Sequence, residues 1–132
     1  MAYDFNANAI RTTFVAGADL SEKQFHFVEV DNGTGKVTAV DGATDRPVGV
    51  LQNTPKDGEA ADVLIAGGSK VVAGGTASPG QPVFSNASAV AVTLGIGTTG
   101  SAAFVVGTFI EPAAAGAITT AVINCANAGR GL

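Results

Sequence analysis

Eighteen residues of this chain recur at a fixed distance. Val48-Gly49-Val50-Leu51, then Gly58, then Val63-Leu64-Ile65 returns 58 positions later as Val106-Gly107-Thr108-Phe109, Gly116 and Ala121-Val122-Ile123, without a gap. Val48/Val106, Gly49/Gly107, Gly58/Gly116 and Ile65/Ile123 are identical. The pattern reads as one supersecondary unit used twice: a strand, a loop of about nine residues closing on a glycine turn, and a second strand. Gly49 and Gly107 fall inside strands, where glycine marks a bulge or the close approach of another backbone. Gly58 and Gly116 close the two loops. A pseudo-symmetric β-barrel or β-sandwich accommodates such a duplication.

The rest of the chain carries the same rhythm. Short β-branched and aromatic runs alternate with Gly, Asn, Asp and Pro: 25–30, 36–40, 47–52, 61–66, 69–73, 81–85, 89–94, 102–110 and 117–124. Asp31-Asn32-Gly33-Thr34-Gly35 joins the first two as a hairpin, with Gly33 of the Asn-Gly pair expected at positive φ. The eighteen glycines would cost nearly 1 kcal/mol each inside helices, which leaves all-β as the economical class. Residues 1–24 are expected to form an N-terminal arm, or a first strand, plus a short turn at Asp19-Leu20-Ser21-Glu22. Residues 25–132 form a single β domain containing the pseudo-repeat 48–65 and 106–123; the 132-residue length suits one domain.

Charge narrows the function classes. Only 14% of residues are charged, against a usual value of about 25%, and they are unevenly placed. Residues 1–62 hold ten of the eleven acids and five of the seven bases; residues 63–132 hold only Lys70, Glu111 and Arg130. With no basic cluster and a net charge of −4, no nucleic-acid partner is expected. No stretch reaches the roughly 18 apolar residues of a membrane span, so no membrane partner is expected either. Met1-Ala2-Tyr3-Asp4-Phe5-Asn6 lacks the basic and apolar regions of a secretory signal, which points to a cytoplasmic site of synthesis.

Few residues can do chemistry. His26 is the single histidine and Cys125 the single cysteine. His26 reads as a strand residue on the face opposite Phe25 and Phe27, and Cys125 as a small buried hydrophobe. Gly33-Thr34-Gly35-Lys36 lacks the first glycine and the final Ser or Thr of a phosphate loop, and Gly67-Gly68-Ser69-Lys70 also departs from that pattern; both read as turns. Asp41, Asp45, Asp57, Glu59 and Asp62 read as a solvated acidic rim, since the ligand spacing of a helix-loop-helix calcium site is absent. No catalytic residue, metal site or cofactor is expected.

An ordered series of segments resembles a known family. Ala16-Gly17-Ala18-Asp19-Leu20-Ser21, Lys23-Gln24-Phe25-His26-Phe27-Val28, Arg46-Pro47-Val48-Gly49-Val50-Leu51-Gln52-Asn53, Pro55, Gly58-Glu59-Ala60-Ala61 and Gly68-Ser69-Lys70-Val71-Val72-Ala73 come first. Val106-Gly107, Glu111-Pro112-Ala113-Ala114 and Ala121-Val122-Ile123-Asn124-Cys125 continue it. Over residues 14 to 126 this is similar to the small capsid decoration, or cement, proteins of tailed bacteriophages. The resemblance implies a non-enzymatic virion protein on the exterior of an expanded capsid, present in the host cytoplasm before assembly. It would stabilise the shell by bridging major capsid protein subunits, as a homotrimer or cluster near local threefold axes. An N-terminal arm would present Tyr3, Phe5, Ile10 and Phe14 as apolar anchors.

Loop residues Pro112, Ala113, Ala114 and Ala115 are expected capsid or subunit contacts. Their repeat counterparts at 54–62 carry Lys56, Asp57, Glu59 and Asp62, whereas 112–120 carries no charge. The second copy is therefore expected to face protein and the first to face water. The alternative reading is a carbohydrate-binding or adhesive β-module displayed on a particle. A third class is a small enzyme of Cys/His type.

Overall fold

The computed structural model describes residues 9–93 and 103–130. They fold as β1 (Ile10–Val15), β2 (Phe27–Val30), β3 (Val37–Ala39), β4 (Gly49–Leu51), β5 (Ala60–Val72), β6 (Pro82–Ser85), β7 (Ala91–Val92), β8 (Phe104–Val105), β9 (Gly107–Phe109), β10 (Ile118–Asn124) and β11 (Gly129–Arg130). No helix occurs among the described residues. The main sheet runs β3-β2-β4-β5-β10-β9-β6-β7, all antiparallel, with β1 added on β5. It curls into a half-barrel. A small β8–β11 ribbon stands apart.

Two of these elements differ from the sequence expectation. The runs 61–66 and 69–73 are one strand, because Gly67 does not break β5: it sits at φ 129° where β5 exchanges one partner for another. Up to Ala66 the strand pairs with β1; from Ala66 onward it pairs with β10. In the β2–β3 hairpin the left-handed residue is Gly35 (φ 72°), not Gly33. Gly35 N–H closes the turn on Asp31 O, and the Thr34 hydroxyl donates to Asp31 Oδ2 at 2.7 Å.

The duplication reaches far past eighteen residues. Val50 pairs with Leu64 and Leu51 with Val63; 58 residues on, Thr108 pairs with Val122 and Phe109 with Ala121. Around these hairpins the backbone hydrogen bonds come in twins. Ala16 N–H donates to Glu59 O, and Ala73 N–H to Ala117 O. Gly17 donates to Val37 O and Gly74 to Ala91 O; Leu20 to Pro55 O and Ala77 to Ala113 O; Val48 to Val28 O and Val106 to Val83 O. Gly58 and Gly116 hold the same left-handed turn, at φ 85° and 83°. Residues 10–66 thus correspond to 67–124, with loop-length changes of a few residues. Ala66 faces its own counterpart, Asn124, across the β5–β10 junction. The strand order accordingly reads the same from both ends once β3/β7, β2/β6, β4/β9 and β5/β10 are exchanged, the signature of an internal dyad.

Two apolar clusters hold the sheet. One lies within the first unit: Ala16, Leu20, Val28, Val37, Leu51, Ala61 and Val63, all buried. The larger joins the second unit to the other side of the first, bringing Phe27, Val50 and Leu64 together with Val71, Val83, Val106, Phe109, Ala121 and Ile123. Alternation along β4 and β5 sends Leu51 and Val63 to one cluster and Val50 and Leu64 to the other, as a period of two requires.

Candidate functional site

The residues capable of chemistry are dispersed. His26 is half-buried, with Nδ1 3.1 Å from Gln24 O. Phe25 adopts a left-handed conformation (φ 65°) and β2 begins only at Phe27, so 25–27 does not alternate as a strand. Cys125 is buried, and burial pushes its thiol up to about 12 against the opposing field of Arg46. A thiol so protonated is a poor nucleophile at neutral pH. It lines a depression of about 400 Å³ with Val30, Arg46, Pro47, Val48, Ile65 and Ala126. Arg46 stands 5.8 Å from the ring of Phe104, its own counterpart in the second unit.

The acidic residues are less evenly scattered than a rim implies. Glu29, Asp41 and Asp45 bring carboxylate oxygens within 4.8 Å of one another. Of the described residues these are the ones whose geometry would suit a hard cation. Glu29 Oε2 is shielded from water without a donor. Burial first, then the proton shared with Asp45 and the charges of Asp45 and Asp41, raise the Glu29 carboxyl to about 7, while Asp45 is lowered. Because Glu29 is raised in the folded chain, its contribution to stability is fully present below the ordinary value of 4.5. That contribution is lost as pH rises through about 7. Glu29→Gln, which keeps a donor and removes the charge, is expected to raise Tm by roughly 3–5 °C at pH 8 and to leave it unchanged at pH 4. Thermal unfolding at the two pH values measures this; an equal shift at both would contradict the shared proton.

The surface separates the two units. Val50 and Leu64 are fully buried, whereas their counterparts Thr108 and Val122 are exposed, Val122 by 49%. Ile118 is 58% exposed. Ile118 and Val122 share one face of β10 by alternation, and Thr108 lies opposite Val122 on β9. In the adjoining loop Pro112, Ala114 and Ala115 are exposed, while Ala113 is half-buried and exchanges backbone bonds with Ala77. The result is a weakly charged surface on the second unit. The matching loop of the first unit exposes Lys56, Asp57 and Glu59.

Of the proposed arm anchors, Tyr3 and Phe5 lie outside the described residues. Ile10 and Phe14 stand at opposite ends of β1; Ile10 is 54% exposed, and Phe14 is half-buried against the first-unit cluster. Of the glycines singled out by sequence, Gly49 and Gly107 are close approaches of the same kind. A Cβ at Gly49 would collide with Leu64 O, and one at Gly107 with Val122 O, the corresponding atom. Gly33 meets nothing nearer than Asp31 Oδ2 at 3.7 Å.

No protein-family model matches the chain, and no curated protein matches it. Among solved structures, it is similar to one described as the crystal structure of the head fiber gp8.5 N base in bacteriophage phi29. The TM-score is 0.61 at 19% identity, over 89% of this chain and 95% of that one. The likeness is one of fold, and it spans nearly the whole of both chains.

Proposed function

We propose that this chain is a structural protein of a tailed-phage particle, bound to the outer surface of the shell. The observation that carries the reading is the likeness to a head fibre base over 95% of that chain. Two features of the molecule support it. His26 and Cys125 form no hydrogen-bonded pair among the described residues, and the buried Cys125 thiol is held protonated. The second unit offers an apolar, weakly charged surface around Ile118, Val122 and the Pro112–Ala115 loop, the composition expected of a contact with protein.

The mechanism is mechanical. A bound unit that touches several major capsid protein subunits adds interfaces that must all break before those subunits separate, and shell symmetry multiplies modest contacts. The acidic first unit then faces water. The test mixes the purified full chain with expanded shells of the phage that encodes it. Saturable co-sedimentation and a higher melting temperature of the shells are expected; absence of binding, with unchanged resistance to heat and chelator, would overturn the reading.

A further inference from the structure

Strand β1 is open in a way its counterpart is not. In the second unit the matching segment is 67–72, where Ser69 and Val71 are buried and Val72 N–H donates to Phe25 O at 3.2 Å. In β1 the corresponding Thr12 is exposed, Phe14 is half-exposed, and Val15 is 45% exposed. Among the described residues β1 pairs with β5, and β3 reaches its other side only at the Ala16–Val37 bridge just past the strand's end. Ala16 N–H points to Glu59 O on the β5 side. Alternation then turns the backbone groups of Arg11 and Thr13 toward the open side, Val15 lying beside the Val37 bridge. An extended segment without proline whose Arg11 and Thr13 backbone groups face outward, unpaired among the described residues, is a template for another strand.

We propose that this edge pairs with β1 of a second copy of the chain, antiparallel, about a twofold axis beside Thr12. The residues select that partner and register. A twofold axis requires each residue to face its mirror position, and centring on Thr12 places Ile10 opposite Phe14 twice and Thr12 opposite Thr12. These are the close, non-hydrogen-bonded positions, where apolar and Thr–Thr pairs contribute most. Arg11 falls opposite Thr13, so no like charges meet across the axis, and Arg11 keeps its 3.1 Å ion pair with Asp62. Arg11–Thr13 and Thr13–Arg11 become the hydrogen-bonded pairs, using the outward backbone groups. The arrangement differs from the trimer that the family resemblance implies. It also stands apart from the proposed function, since it needs no shell.

Sedimentation velocity of the full chain across a concentration series tests it together with three variants. The native chain is expected to show a monomer–dimer equilibrium. Thr12→Lys, which sets two ammonium groups against each other, weakens it by roughly tenfold or more. Thr13→Pro removes an outward N–H while sparing the β5 ladder, so the dimer is lost and the fold kept. Thr12→Cys with oxidised glutathione gives a disulfide-linked dimer, because close pairs in this register bring Cα atoms to about 4.5 Å. A strict monomer, a trimer indifferent to Thr12→Lys, or cross-linking no faster at Thr12 than at Thr13→Cys would each overturn the proposal. So would an edge that pairs only with a shell protein.

Discussion

Gly107→Ala and Gly49→Ala are each expected to destabilise the chain by about 3 kcal/mol, toward the upper end for overpacking. Neither glycine has a positive φ, so the cost is spatial. The added methyl at Gly107 meets Val122 O, with Val122 C at 3.1 Å and Ile123 Cα at 3.2 Å. Those atoms are backbone of β10, held between β9 and β5, and no side-chain rotation relieves the collision. At Gly49 the obstacle is Leu64 O in the twin hairpin. Urea unfolding should show a lower midpoint with an unchanged slope. Gly33→Ala, in an open turn with ordinary φ, serves as the control and is expected to change stability by less than about 0.5 kcal/mol. Equal, small effects at all three positions would refute the close approach.

The second large effect contrasts the twins. Leu64→Ala should cost about 3 kcal/mol, the usual loss when a fully buried leucine leaves a cavity. Val122→Ala, at the same place in the duplicated hairpin but 49% exposed, should cost about 0.5 kcal/mol in the isolated chain. The pair measures how far the two units have diverged in what they bury. Similar costs would mean that Val122 is already covered in the free protein.

Much of the architecture was legible because strands here are short, apolar and punctuated. Val37–Ala39, Gly49–Leu51, Pro82–Ser85 and Ile118–Asn124 fall where β-branched runs sit between turn residues. The eighteen-residue repeat pointed to a twofold use of one hairpin, but its full length was hidden. Backbone bonding survives where residue identity does not: Leu20 and Ala77, or Val37 and Ala91, hold equivalent bonds with aliphatic side chains of different size. Gly67-Gly68 looked like a turn because composition cannot distinguish a chain reversal from a strand exchanging partners. The Glu29, Asp41 and Asp45 cluster was missed because Glu29 lies on β2 and the aspartates follow β3, so only the hairpin brings them together. β1 was ambiguous for a physical reason. Ile-Arg-Thr-Thr-Phe-Val is exposed at every position but half-buried Phe14, and a strand that buries so little imposes little pattern on its residues.

The surface asymmetry also has a local origin in charge. Lys56, Asp57, Glu59 and Asp62 keep the first hairpin wet, whereas the second carries proline and alanines over 112–115 and exposed Ile118 and Val122. Equivalent hairpins therefore present one charged and one apolar surface. In the proposed function the second-unit hairpin is accordingly the side expected to meet the particle.

The most direct measurement of the central claim is electron cryomicroscopy of particles of the encoding phage, with this chain present and with its gene deleted. The account predicts difference density on the outside of the shell that accommodates the half-barrel, with the Pro112–Ala115 loop and the Ile118/Val122 face toward protein and the acidic first unit toward solvent. Particles indistinguishable with and without the chain, or density confined to the interior, would contradict it.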